Sequence, residues 1–268
     1  MLKFLFKPWP KHPIDRLYRI ETSARVIHRS LRVGNRALDE ANVGYGCSQP
    51  SVLRSAFGAL PGGGADAHLF DLGCGKGRAL ALATEFPFRS ITGIELAPGL
   101  CRIARRNAAT IARRHPDRVP LKIVEGDATK PDLPSSGDQI LFLYNSFRRP
   151  LVNALLTHVE AHGAAHPDAR IFLVYYNPTQ AAALDGSPRW RRYFADQIGF
   201  SDEDARYAPF ANRSDSVVIW QLDSPKRAPP HPGAERAIEI VIPDIAAIVL
   251  ERYLQQRAGV RLHVSSAA

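Results

Sequence analysis

The chain has 268 residues, with 35 lysines and arginines against 26 aspartates and glutamates, a formal charge of +9, and three cysteines. That length can bury a full core, so one globular domain with extensions is expected rather than two domains. Cys47, Cys74 and Cys101 form an odd set without metal-ligand spacing, which argues against a disulfide scaffold and a cysteine-built metal centre and fits a reducing cytoplasm.

Met1 to Lys7 is far too short to span a bilayer, with a terminal segment packed on the body or frayed as the expectation and its lysines and aromatics on an anionic membrane surface as the alternative, and no charged-then-apolar segment with a cleavage site opens the chain. Pro13 to Val43 reads as one or two helices with a short extended piece, a helical N-terminal extension (residues 1–43) ahead of the main body. Gly44 to Ser51 is a turn-rich loop, with Ser48 or Ser51 placed to cap a helix over Val52 to Leu60. Pro61-Gly62-Gly63-Gly64 then gives a flexible connection.

His68-Leu69-Phe70-Asp71-Leu72-Gly73-Cys74-Gly75-Lys76-Gly77-Arg78 is an apolar run, an acid, three alternating glycines and the start of an apolar-periodic stretch. It predicts a strand turning sharply into a helix. Glycine permits close ligand approach there, and a helix start presents unpaired N–H groups. The dinucleotide fingerprint G-x-G-x-x-G is not met, because Arg78 stands where its last glycine would fall, so nicotinamide binding is disfavoured. Asp71 is placed at the strand's carboxyl end to meet an ammonium group. Glu95 ends the next apolar run, Ser90 to Glu95, at the distance where a doubly wound fold grips a ribose diol. A helix from Pro98 to about Arg114, a strand near Leu121 to Val124 and the turn Gly126-Asp127-Ala128 follow.

Asp71 to Gly77 reads D-x-G-x-G-x-G. With Glu95 and Gly126-Asp127-Ala128 it resembles the class I S-adenosylmethionine-dependent methyltransferases, from about Gly44 to Leu222. The resemblance implies an α/β fold: a doubly wound, mostly parallel seven-stranded sheet with a terminal antiparallel hairpin. It implies S-adenosylmethionine as cofactor, the glycine loop holding the methionine part, Glu95 the ribose hydroxyls and Asp127 the adenine amino group. The cofactor-binding set carried over is Asp71, Gly73, Cys74, Gly75, Gly77, Glu95, Leu96, Asp127, Ala128 and Asn145.

A strand over Gln139 to Tyr144 leads into Asn145-Ser146-Phe147, where relatives that methylate amino groups carry Asn-Pro-Pro-Tyr or Asn-Pro-Phe. Ser146 departs from that pattern. By the resemblance, Asn145 and Phe147 are the candidate acceptor-site residues, and Tyr45, in a loop like those that close over the cofactor, is the third. The implied function is methyl transfer to a nitrogen of a protein side chain or small molecule. A non-catalytic cofactor-binding module and an aminopropyltransferase are the alternatives. Nucleic acid stays open as acceptor, although the arginines are scattered and not interleaved with aromatics.

Helix Leu151 to Ala161 carries His158, His162 and His166 at every fourth residue. Gly163 and Pro167 are expected to break that helix, and no carboxylate completes a set, so no metal site is expected. A strand from Arg170 to Tyr176, helical pieces over Gln180 to Leu184 and Arg189 to Gln197, and a hairpin of Ala205 to Phe210 with Ser216 to Leu222 complete the body, residues 44–222. Asp223 to Gly233 holds four prolines and reads as an extended linker opening residues 223–268. A strand over Ala237 to Ile242 and a helix over Asp244 to Tyr253 follow, expected to pack on the body. The acceptor's identity and the oligomeric state are not readable from the sequence.

Overall fold

The computed structural model describes residues 11–23, 46–208 and 213–238. Tyr45, most of the expected 237–242 strand, the 244–253 helix and the Met1 to Lys7 segment lie outside the described residues. In chain order come α1 (Pro13–Tyr18), α2 (Pro50–Gly58), a 3-10 turn (Pro61–Gly64), β1 (His68–Leu72), α3 (Arg78–Ala83), β2 (Ser90–Glu95), α4 (Pro98–Arg114) and β3 (Leu121–Glu125). Then come β4 (Gln139–Tyr144), α5 (Arg149–Ala165), β5 (Ile171–Tyr176), α6 (Ala181–Asp185), β6 (Trp190–Gly199), α7 (Asp202–Tyr207) and β7 (Ser214–Leu222).

The seven strands form one sheet in the order β3-β2-β1-β4-β5-β7-β6, with β7 antiparallel to β5 and β6 antiparallel to β7. The central strands read as continuous apolar runs because helices cover both faces. Leu69, Phe142, Val174, Tyr176 and Ile219 pack with Val52, Leu53 and Phe57 of α2 on one face. Phe70, Leu141, Tyr175 and Trp220 pack with Val152, Leu155 and Val159 of α5 on the other. Strand order reverses at β1, whose Asp71 lies between Gly93 of β2 and Phe142 of β4.

The antiparallel hairpin is present, but its outer strand is β6 and not residues 205–210. Arg189 to Gln197, expected to be helical, is therefore strand. A register shift between Arg192 and Phe194 is the cause: this bulge puts Trp190, Tyr193, Phe194 and Ile198 in the interior, a spacing that imitates a helical stripe. Residues 202–207 instead form α7. The Ser201 hydroxyl accepts the Asp204 N–H, and Asp202, Glu203 and Asp204 place negative charge at the helix start.

Gly163 does not break α5. A Cβ there would stand 2.4 Å from Leu222 Cδ2, so the glycine lets the helix settle on β7. The histidine run serves the same packing: His158 and His162 hydrogen-bond the Pro131 and Pro134 carbonyls. Neither Ser48 nor Ser51 caps α2; the Ser51 hydroxyl donates to Asp204 instead. The proline-rich stretch after β7 returns to the sheet. His231 N–H donates to the Tyr193 carbonyl and Ala195 N–H to the Gly233 carbonyl, covering the open edge of β6. Among the described residues no helix is long and apolar enough to cross a membrane.

Candidate active site

The carboxyl ends of the parallel strands carry the glycine loop, Glu95, Asp127 and Asn145, at the edge where open α/β sheets bind ligands. Gly73, Gly75 and Gly77 have φ of 82°, 56° and 84°, a region costly for other residues. Gly73 and Cys74 N–H groups both donate to the Ile94 carbonyl (2.8 and 3.0 Å), which lashes the loop to β2. A Cβ on Gly73 would lie 2.8 Å from Ser146 Oγ, so this glycine also lets the β1 and β4 loops touch.

Glu95 closes the turn from the β2 side. One of its oxygens accepts Gly75 N–H (2.9 Å) and the other Ala97 N–H (2.8 Å). Burial nevertheless raises its pKa against the help of those N–H groups. Asp71, 4% exposed, stands beside it. Burial, reinforced by the charge of Glu95, pushes the Asp71 carboxyl up to about 8. Among the described residues neither acid forms an ion pair with a lysine, arginine or histidine. Two buried acids without a cation suit a ligand bearing positive charge and hydroxyl donors.

The remaining expected residues are placed as follows. Cys74 is buried, and a Cβ on Gly93 would come 2.7 Å from its Sγ, so the thiol fills the seam between loop and β2. Leu96 is partly exposed at the bend after Glu95. Asp127 is exposed, one oxygen accepting the Thr129 N–H and hydroxyl, while Ala128 is buried among Ile94, Leu133 and Phe147. Asn145 has φ of 42°, and its Oδ1 accepts the Thr179 hydroxyl at 2.5 Å. Phe147 is 5% exposed and packs in the apolar layer with Phe70, Leu72 and Val152.

Further residues that no sequence motif marks lie near this crevice. Asn177, after β5, has φ of 47° and donates to Asp215 (3.1 Å), which also receives the Tyr176 hydroxyl at 2.5 Å. The pattern Tyr144-Asn145 and Tyr176-Asn177, one at the end of each adjacent strand, was the available clue. Arg78 is another such residue. Its guanidinium is buried and donates to Thr22 Oγ1 (2.8 Å), Ser23 Oγ (2.9 Å) and the Ser48 carbonyl (3.3 Å), 3.6 Å from Asp15. Asp15 in turn accepts both N–H groups and both hydroxyls of Thr22 and Ser23. The Asn107 amide joins the Glu21 carbonyl (3.1 Å) to the Lys76 carbonyl (2.9 Å). Residues 12–23 thus form a strap across the glycine loop.

His12, Glu203 and Asp204 cluster at the far end of that strap. Asp204 is occupied by Ser51 and by His12 Nε2 (3.0 Å), and His12 Nδ1 accepts Ile14 N–H, so the group works as a latch. Burial would raise the Asp204 pKa, but the His12 and Ser51 hydrogen bonds hold it below its ordinary value.

Residues 70–162 match the family model described as a methyltransferase domain. The chain therefore carries a methyltransferase domain. Its Rossmann-like sheet order, with the glycine loop and paired acids at the strand ends, agrees with that match. A stretch of 48 residues is 52% identical to the release factor glutamine methyltransferase of Vibrio cholerae, spanning 18% of this chain and 17% of that enzyme. Among solved structures, a putative methyltransferase, yhhF, from Escherichia coli has 16% identity and a TM-score of 0.43, over 72% of this chain and 90% of that one. The methyltransferase domain of a bacterial CtHen1 has 15% identity and a TM-score of 0.47, over 65% and 98%.

Proposed function

We propose that this chain transfers the methyl group of S-adenosylmethionine to a nitrogen atom of a protein side chain or small molecule. The observation that carries the reading is the buried pair Asp71 and Glu95, without a cationic partner among the described residues, beside a loop of three left-handed glycines. The residues fit the donor: Asp71 suits its ammonium group, Glu95 its ribose diol, Leu96 and Asp127 its adenine, and the glycines its amino-acid chain. When bound, S-adenosylmethionine supplies a methyl carbon on a cationic sulfur, so that a C–N bond forms as the C–S bond breaks, the electron pair stays on the departing thioether, and the acceptor nitrogen sheds a proton.

The chain's contribution is placement. Displacement at a sulfonium needs little acid or base help once the nucleophile is neutral, and correct orientation supplies most of the rate. Ser146 and Gly73 bring the β4 loop against the glycine loop, which supports Asn145 as the residue that would face both donor and acceptor. Its Oδ1 receives the Thr179 hydroxyl on one lone pair, which fixes the amide and leaves a second lone pair directed elsewhere. That second lone pair can accept a hydrogen bond from an N–H of the acceptor, which agrees with nitrogen as the acceptor atom.

Transfer of tritium from labelled S-adenosylmethionine into a bacterial extract, with Asp71→Ala as control, tests the reading, and mass spectrometry of the labelled material identifies the acceptor. Wild type that labels material while Asp71→Ala does not supports it. Wild type that binds the demethylated product S-adenosylhomocysteine tightly yet labels nothing identifies a binding module, and transfer of an aminopropyl group from the decarboxylated cofactor identifies the other enzyme.

A further inference from the structure

Asp215 opens β7, which runs antiparallel to β5, so its carboxylate lies at the same sheet edge as the glycine loop. It is 9% exposed and held by two neutral donors, the Tyr176 hydroxyl (2.5 Å) and the Asn177 side-chain amide (3.1 Å). Among the described residues no lysine, arginine or histidine acts on it, although the chain carries nine more basic than acidic residues. Around it are acceptors and aromatic faces. Gln49, 5% exposed, donates its N–H to the Tyr176 hydroxyl, and its buried side-chain oxygen receives no donor. The Tyr144 and Tyr176 rings stack with centroids 4.3 Å apart, and Tyr144 is partly exposed. Asn145 and Asn177 both take left-handed backbone, which turns the chain sharply at the ends of neighbouring strands.

A buried carboxylate is costly unless it is protonated or paired. Among the described residues Asp215 is met by neutral donors alone, with no lysine, arginine or histidine among the groups that act on it, and the Tyr144 ring and the Gln49 side-chain oxygen lie alongside. We propose that the ends of β4 and β5 and the start of β7 seat the methyl acceptor, and that the acceptor presents a primary alkylammonium group to Asp215, its alkyl chain lying against Tyr144. The proposal rests on the methyl-transfer reading above and adds the chemical class of the substrate. Before that nitrogen can accept a methyl group it must lose one proton, and the Asp215 carboxylate takes it. Burial raises the Asp215 pKa against the Tyr176 and Asn177 hydrogen bonds, which suits this exchange.

The test uses the full chain saturated with S-adenosylhomocysteine and two matched pairs of probes. One pair is a short peptide containing lysine and the same peptide with 6-hydroxynorleucine in its place; the other is cadaverine and 1,5-pentanediol. Calorimetry is expected to show binding of at least one amine and at least tenfold weaker binding of its hydroxyl partner, with the two arms separating a protein side chain from a free amine. With labelled S-adenosylmethionine, Asp215→Asn is expected to raise KM for that amine at least tenfold while S-adenosylhomocysteine affinity stays within twofold of wild type. Failure of wild type to bind S-adenosylhomocysteine would sink the methyl-transfer reading itself. Normal cofactor binding with equal affinity for amine and alcohol, with no binding of either amine, or with an unaltered KM in the variant, overturns this inference alone. The wild-type probe pairs decide the matter even where Asp215→Asn does not fold.

Discussion

The two ends of the crevice are made of different material. At the β1–β2 end most of the work falls to backbone: three left-handed glycines, two N–H groups tied to the Ile94 carbonyl, and a Glu95 held by two more N–H groups. At the β4–β5–β7 end it falls to side chains, with Tyr176 and Asn177 donating to Asp215 and Thr179 donating to Asn145. A site set by backbone tolerates little change and serves one ligand; a site set by side chains can be rebuilt by substitution without disturbing the sheet. On the proposed reading the glycine-loop end holds the donor, and the side-chain end is the part that substitution can adapt to a different acceptor.

The sharpest way to break this division is to remove a charge at the donor end. Asp71→Ala is expected to weaken S-adenosylhomocysteine binding by about a hundredfold or more, the cost of losing a charged hydrogen-bond partner. Calorimetry on Asp71→Ala and Asp215→Asn side by side checks it, and equal losses in both would show that the two ends are one unit. Next in size is the close packing under the loop. Gly93→Val would bring a Cβ to 2.5 Å from Leu80 and 2.7 Å from Cys74. It is expected to cost ~2–4 kcal/mol in denaturant unfolding, with binding lost as a consequence.

A smaller effect follows from pH. The Asp71 carboxyl titrates near 8 in the folded, ligand-free chain and near the ordinary carboxylate value when unfolded. The native state therefore holds a proton that the unfolded state has released, and the Asp71 contribution to stability, full below the unfolded value, is lost as pH rises towards about 8. Binding of an ammonium-bearing donor needs the ionised acid, so affinity is expected to climb about tenfold per pH unit from pH 6 and to level off above about 8. Calorimetry in buffers of different ionisation heat would detect the released proton. The smallest expected change is at Asp127, which is exposed. Asp127→Asn should weaken cofactor binding only about threefold, since solvent screens its charge.

The same division governs what the sequence reveals. The glycine-loop end is written in contiguous residues, Asp71 to Gly77 with Glu95 one strand later, so the turn and the acids beside it can be read in one dimension. The parallel strands are equally legible, because burial on both faces leaves unbroken apolar runs. The antiparallel edge is not, since a bulge in β6 turns a two-residue alternation into helical spacing. Asp215 is hidden for a related reason: it meets Tyr176 and Asn177 only through the pairing of β7 with β5, a contact nearly 40 positions apart along the chain. Arg78 meets Asp15, Thr22 and Ser23 across an even longer interval, and nothing about an arginine following a glycine loop announces a buried one.

The strap formed by residues 12–23 has a consequence for how this protein can be shortened. Trimming the chain at Gly44, where the sequence suggests that the main body starts, would strip Arg78 of Asp15, Thr22 and Ser23, and would take the Glu21 backbone from Asn107, beside the glycine turn. The leading segment is thus part of the support of the glycine turn rather than a detachable appendage, and a shortened version that keeps this turn in place has to begin ahead of His12.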